Sequence, residues 1–230
     1  MFSKFNLNGA ALPPKTLCLT FDDGPGETVG SGPGPKTEKI AEYLASENIY
    51  ATFFMVGKHI VQYPKVLGRV YELGHIIGNH AYCHHRTFSE LYKNGWDFVS
   101  EIEWTDQLIK KFNPANDIYF RAPWGDFPVE VVDHLNNVLD NHLNHIGSFH
   151  WDIGSSDWKF WQEGKSSQDC ADYYFNEISN KNHGLVLMHD STSDLLNAKI
   201  NNLTLETIKI LIPQLKTEGY RFVNIDQVPY

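Results

Sequence analysis

The sequence predicts an α/β fold in which a parallel sheet, open or closed into a barrel, is covered by helices. Two observations predict it. Short apolar runs alternate with amphipathic stretches from one end of the chain to the other, and no linker, fixed-period repeat or low-complexity tract interrupts them. The length of 230 residues is a third. It is enough for one sizeable core, and α/β barrels of this size commonly form a single domain.

Thr16–Phe21 is the first expected strand, with Leu17, Leu19 and Phe21 apolar and an abrupt stop at Gly24-Pro25. Between run and stop stand two adjacent carboxylates, Asp22 and Asp23. The Gly- and Pro-dense stretch Gly24–Pro35 must be loop. Loops after strand ends form the active sites of parallel α/β proteins, so this one is expected to border whatever the aspartates serve. Further strands are expected at Ala51–Val56, His75–Gly78, Ile118–Arg121, His145–Asp152, Gly184–His189 and Arg221–Val223. Helices are expected at Lys36–Glu47, Pro64–Leu73, Trp96–Phe112, Val129–Leu139, Ser167–Asn180 and Leu203–Thr217. Ile102, Leu108, Ile109 and Phe112 share one helical face, as do Leu205, Ile208, Leu211, Ile212 and Leu215. Pro213 should kink the last helix or begin a new turn.

A formal charge of −9 argues against nucleic acid or an anionic membrane as the main partner and suits a neutral or cationic ligand. No apolar run is long enough to span a membrane. Three scattered cysteines, Cys18, Cys83 and Cys170, imply no disulfide framework. With no apolar leader at the N-terminus the chain reads as cytoplasmic as written, or as secreted or periplasmic if it is an excised mature domain.

Two carboxylates at the end of a buried strand each need a partner or a cation. Adjacent side chains on an extended chain point in different directions, so one can bind a metal while the other faces a substrate. His80 and His84 follow a strand with His-x-x-x-His spacing, which lets both imidazoles converge if the segment forms a helical turn. With Asp22 or Asp23 they would make a two-histidine, one-carboxylate site that suits catalytic zinc, non-haem iron or another divalent ion. Position 81 is Ala, so the His-Glu-x-x-His protease pattern is absent and the base must come from elsewhere, most naturally the second aspartate. Later strand ends bring Arg121, whose fork of donors could hold a carboxylate, then Trp151 to Trp158, then His189.

Five blocks in this order, Thr20–Pro25, His80–His84, Arg121–Gly125, Trp151–Trp158 and Leu187–His189, resemble the polysaccharide deacetylases of the NodB-homology type, carbohydrate esterase family 4. The resemblance implies a distorted (β/α) barrel at 16–230, with 1–15 as an N-terminal extension. It implies removal of N-acetyl groups from N-acetylglucosamine-containing glycans, such as chitin oligomers or peptidoglycan, by attack of a metal-bound water. Asp23, His80 and His84 would bind the divalent metal, usually Zn2+, with Co2+ or Ni2+ able to replace it. Asp22 would be the general base, held by Arg121. His189 would be the general acid, oriented by Asp157. The backbone N–H of Trp124 would help to stabilise the oxyanion, and Trp158 and Leu187 would line the acetyl pocket. Trp124, Trp158, Phe160 and Trp161 would suit stacking on sugar rings, although some must be core.

Ala81 departs from the family's usual Ser or Thr, which removes a hydroxyl that would brace the loop, so His80 is either looser or supported otherwise. Cys83 reads as a small buried residue, with a thiol ligand or an oxidation-sensitive site as the other reading. The same motifs would serve an O-acetyl-xylan esterase. A non-haem iron oxygenase would predict a β-sandwich scaffold, against the βα alternation. A catalytically silent glycan-binding domain would be expected to lack the acid or the base, and both are present.

Overall fold

The computed structural model describes residues 1–139, 142–192 and 194–230. In chain order its elements are β1 (Thr16–Asp22), α1 (Thr37–Ser46), β2 (Thr52–Met55), α2 (Gly57–Gln62), α3 (Pro64–Glu72) and β3 (Ile76–Asn79). There follow α4 (Phe88–Lys93), α5 (Val99–Ile109), β4 (Asp117–Phe120), α6 (Val129–Val138), β5 (Asn144–Gly147) and β6 (Ile153–Gly154). The chain ends with α7 (Asp157–Gln162), α8 (Ser167–Lys181), β7 (Gly184–His189), α9 (Leu196–Ile200), α10 (Thr204–Thr217) and β8 (Arg221–Val223).

The sheet runs β5-β4-β3-β2-β1-β7-β6, with β8 on the first half of β1, and its ladders are parallel. This is the parallel α/β arrangement that the alternation predicts. Every residue of β1 is buried, as expected of a strand covered on both faces. The expected strand His145–Asp152 is not continuous: β5 ends at Gly147 and β6 begins only at Ile153, because the segment changes partners. Its first half pairs with β4, Phe149 N–H still bonds Phe120 O at 2.9 Å, and Asp152 N–H then reaches Leu185 O on β7 at 2.9 Å. One segment therefore borders both ends of the sheet.

Residues 1–15 are laid along that crossing. Leu7 N–H donates to Ser148 O at 2.9 Å and its carbonyl accepts from His150 N–H at 2.7 Å. Gly9 N–H reaches the Asp152 carboxylate at 2.7 Å. Phe2 is buried against Phe120, Phe127 and His145.

Ser166 and Asp169 form a reciprocal cap at the start of α8, each side chain bonding the other's backbone N–H. Helix α10 runs through Pro213 without ending there, held by the buried row Leu205, Ile208, Leu211, Ile212 and Leu215. Tertiary packing of that row outweighs the cost of a helix-interior proline, about 3 kcal/mol for the lost hydrogen bond and the ring clash together. The short helices α2, α4, α7 and α9 are not expected from periodicity, since five or six residues hold too few turns to show one.

If the N-terminal segment is part of the packed body, Phe2→Ala should destabilise the protein by about 3 kcal/mol in urea unfolding. An unchanged midpoint would mean that the segment contributes nothing.

Candidate active site

Parallel strands place all their C-terminal ends on one side, and the polar residues of the sequence blocks meet there. One cleft is lined by Asp22, Asp23, His80, His84, Trp124 and His189 together with Trp151, Ser155, Trp158, Leu187, Thr192 and Asp194. Asp22 on β1 and His189 on β7 are register neighbours.

Asp23 lies just past β1 with φ of 78°, a left-handed conformation uncommon outside glycine. Asp23 Oδ1 stands 3.5 Å from His80 Nε2 and 3.4 Å from His84 Nε2. Both imidazoles are oriented from behind. His80 Nδ1–H donates to Arg121 O at 2.7 Å, and His84 Nδ1–H donates to Asp194 Oδ2 at 2.9 Å. The partners are pure acceptors, so each Nδ1 carries the proton and each Nε2 presents a lone pair to Asp23 when the ring is neutral. Tetrahedral zinc with bonds of about 2.0–2.2 Å holds its donors roughly 3.3–3.5 Å apart, so the donor set and its spacing fit a divalent metal. Without one, burial opposes the Asp23 charge, but His84 and His80 hold its carboxyl well below the usual carboxylate range. Burial likewise opposes charge on His84, yet Asp23 and Asp194 raise it above its ordinary value.

Arg121 is fully buried and spends its donors on four acceptors: Phe149 O (2.9 Å), Thr20 Oγ1 (2.8 Å), Asp22 Oδ1 (2.8 Å) and His150 O (3.3 Å). Asp22 is thus fixed through Oδ1, and its Oδ2 lies 3.7 Å from His80 Nε2. Across the cleft, Asp157 accepts from both the backbone N–H and the Nδ1–H of His189, each at 2.7 Å. Burial disfavours the His189 imidazolium, but Asp157 outweighs it and, with Asp23 and Asp22, pushes the pKa up to about 10.

The His80–His84 segment is an irregular bend, not a helical turn. Ala81 has φ of 61°, and convergence comes from that reversal and from the two backing acceptors. Asn79 supplies the brace that a hydroxyl at position 81 does not. Its Oδ1 accepts from Ala81 N–H at 2.8 Å, and its Nδ2 is anchored on Asp106 Oδ1 (2.8 Å) and Ile102 O (3.0 Å). Cys83 is outside the ligand cluster, and burial raises its thiol pKa, so it is neither a ligand nor an activated thiolate here. Trp161 is core, Phe160 packs against core, and of the expected stacking rings Trp124 and Trp158 line the cleft. Trp124, 54% exposed, packs on the His84 ring.

Gly24–Pro35 supplies none of the described residues that line the cleft. Its far end is tied down instead by Gly34 N–H, which bonds Asn202 O at 2.9 Å, and by the buried Lys36 ammonium, which bonds Gly32 O and Glu206. Sequence reasoning missed Asp194, Asn79, Trp151 as a lining residue, and His59, whose Nδ1–H donates to Asp23 O at 2.8 Å. Gly57-Lys58-His59 follows the C-terminal end of β2, and that position was its one available signal.

A family description for polysaccharide deacetylase matches residues 9–138. The chain is 29% and 30% identical to two peptidoglycan-N-acetylglucosamine deacetylases of Bacillus cereus, over 91% and 90% of its own length. It spans 66% and 68% of theirs, about two thirds of each relative. The crystal structure of the Bc1960 peptidoglycan N-acetylglucosamine deacetylase superposes with a TM-score of 0.65 at 25% identity, covering 94% of this chain and 88% of that one.

In metal-free protein, NMR titration should find the His189 ring charged until about pH 10. A pKa raised from 6.5 contributes stability that is complete below pH 6.5 and lost as pH rises towards 10. Asp157→Asn should therefore destabilise the metal-free protein far more at pH 6 than at pH 10. Equal losses at both would contradict the assigned pairing.

Proposed function

The chain belongs to the polysaccharide deacetylase family, and from that premise we propose that it removes N-acetyl groups from N-acetylglucosamine units of a glycan such as peptidoglycan or a chitin oligomer, using a divalent metal. The observation that carries the reading is one cleft in which three potential metal ligands face an Arg-held carboxylate and an Asp-held imidazole. The relatives named for peptidoglycan N-acetylglucosamine support that substrate class.

Asp23, His80 and His84 would hold the metal, and two imidazoles with one carboxylate favour Zn2+. When bound, such an ion lowers the pKa of water to about 7 and polarises a carbonyl. The protein's own groups do the rest. Asp22, immobilised through Oδ1, uses Oδ2 to take a proton from the attacking water. Trp124 N–H, on its own left-handed turn (φ 62°), supports the oxyanion that forms at the acetyl carbonyl. His189 donates the proton that lets the sugar amine leave, and Asp157 keeps it charged for that duty. Water thus supplies OH to the acetyl carbon and the C–N bond breaks to give acetate and a free amine. Leu187 and Trp158 pack the acetyl methyl, while exposed Trp124 and half-buried Trp151 offer rings to the sugar face.

Acetate release from chitin oligomers, peptidoglycan and acetylxylan tests this after chelation and after adding back Zn2+. Release should require the metal and be greatest on an N-acetylated glycan. Asp22→Asn should lower kcat by about 10²–10⁴-fold, the usual worth of a general base. No release from any substrate by the metal-loaded protein would overturn the reading, as would full activity of Asp22→Asn.

A further inference from the structure

Asp23 faces His80 and His84 from a backbone held in the left-handed region, at φ 78°. A non-glycine residue there costs of order 1–3 kcal/mol and persists only where its surroundings over-determine it. The peptide unit joining Asp23 to Gly24 is gripped at both ends by buried side chains. Its oxygen accepts from His59 Nδ1–H at 2.8 Å, and His59 is 5% exposed on α2. Its nitrogen donates to Asp190 Oδ1 at 3.1 Å, and Asp190 is fully buried after β7. The second Asp190 oxygen accepts from Thr37 Oγ1 at the start of α1. The next carbonyl, that of Gly24, accepts from Val56 N–H at 2.8 Å. A Cβ at position 24 would overlap the Asp190 carboxylate, so the grip closes only around glycine.

We propose that His59 is a positioning residue for the metal ligand Asp23: its Nδ1–H holds the Asp23 carbonyl and thereby fixes the left-handed turn that presents the carboxylate to His80 and His84. This rests on the reading of Asp23, His80 and His84 as the metal site. The carbonyl has left the β1 ladder at this point, so the bond from α2 replaces one that a sheet neighbour would make. The pairing spans elements because His59 follows β2 and Asp23 follows β1, the strand beside it. His59 does not line the cleft, so its action on the reaction runs through Asp23.

Zinc affinity, read by competition with a chromogenic chelator, separates this role from general support of the fold. An Asn side chain places an amide N–H where Nδ1–H stands, Leu offers no donor, and Gln carries its amide one carbon further on. His59→Leu should weaken Zn2+ binding by about 10- to 100-fold, the usual effect of losing an outer partner of a ligand. His59→Asn should stay within about threefold of the parent protein. His59→Gln gives the same comparison if the Leu variant does not fold, and it should lose affinity as Leu does. Thermal unfolding of the metal-free forms reports the structural cost separately. Unchanged affinity in the folded Leu or Gln variant, or equal loss in Asn and Gln, would overturn the proposal. If the parent protein binds no Zn2+, or Asp23→Ala binds it as well as the parent, the metal site itself fails instead.

Discussion

A guanidinium with no access to water has to spend its donors on protein acceptors, and Arg121 satisfies that demand by joining three parts of the fold. It rises from the end of β4, takes Thr20 and Asp22 on β1, and takes Phe149 O and His150 O on the segment that links the two ends of the sheet. Its face rests on the Phe54 ring, 4.4 Å from the centroid. Breaking a buried pair by removing one partner typically costs about 3–5 kcal/mol, because the other charge is left uncompensated. Its backbone carbonyl meanwhile holds His80 Nδ1–H. The one residue thus holds Asp22, the proposed base, through its side chain and His80, a proposed metal ligand, through its main chain.

The cleft concentrates backbone strain. Asp23, Ala81, Trp124 and Ser155 all have positive φ, with values of 78°, 61°, 62° and 73°, and all stand just beyond strand ends. Such residues cluster where geometry serves chemistry, at a cost of order 1–3 kcal/mol each. Three of the turns have visible restraints. His59 and Asp190 hold the Asp23 turn, Asn79 holds Ala81, and His150 Nε2–H holds the Gly125 carbonyl beside Trp124 at 2.9 Å. The restraints come from residues on or just beyond β2, β3, β5 and β7, so the body of the fold holds these turns.

The strands were largely legible because parallel strands buried on both faces read as continuous apolar runs. Gly184–His189 and Arg221–Val223 have the bounds that their runs imply. The grouping of Asp22, Asp23, His80, His84, Arg121, Asp157 and His189 was legible too, since strand C-terminal ends share one side. Three things lay beyond sequence reach. The His80–His84 turn depends on a left-handed Ala81, and no local propensity signals that. His59 and Asp194 act through single hydrogen bonds across 36 and 110 residues of chain. The Gly24–Pro35 loop had the right composition for a loop, but its direction follows from its bonds to Lys36 and Asn202, which no local pattern signals. Trp161, Trp158 and Phe160 are close in sequence, and the pitch of α7 sends one of them to the core and another to the cleft.

Two adjacent carboxylates have separate proposed roles, Asp23 at the metal and Asp22 at the proton. Anomalous diffraction from crystals of the Zn2+-loaded protein tests that division most directly. The predicted result is one strong peak within bonding distance of Asp23 Oδ1, His80 Nε2 and His84 Nε2, with Asp22 still on Arg121 and outside the coordination shell. A peak ligated by Asp22 in place of Asp23, or one located away from His80 and His84, would contradict it.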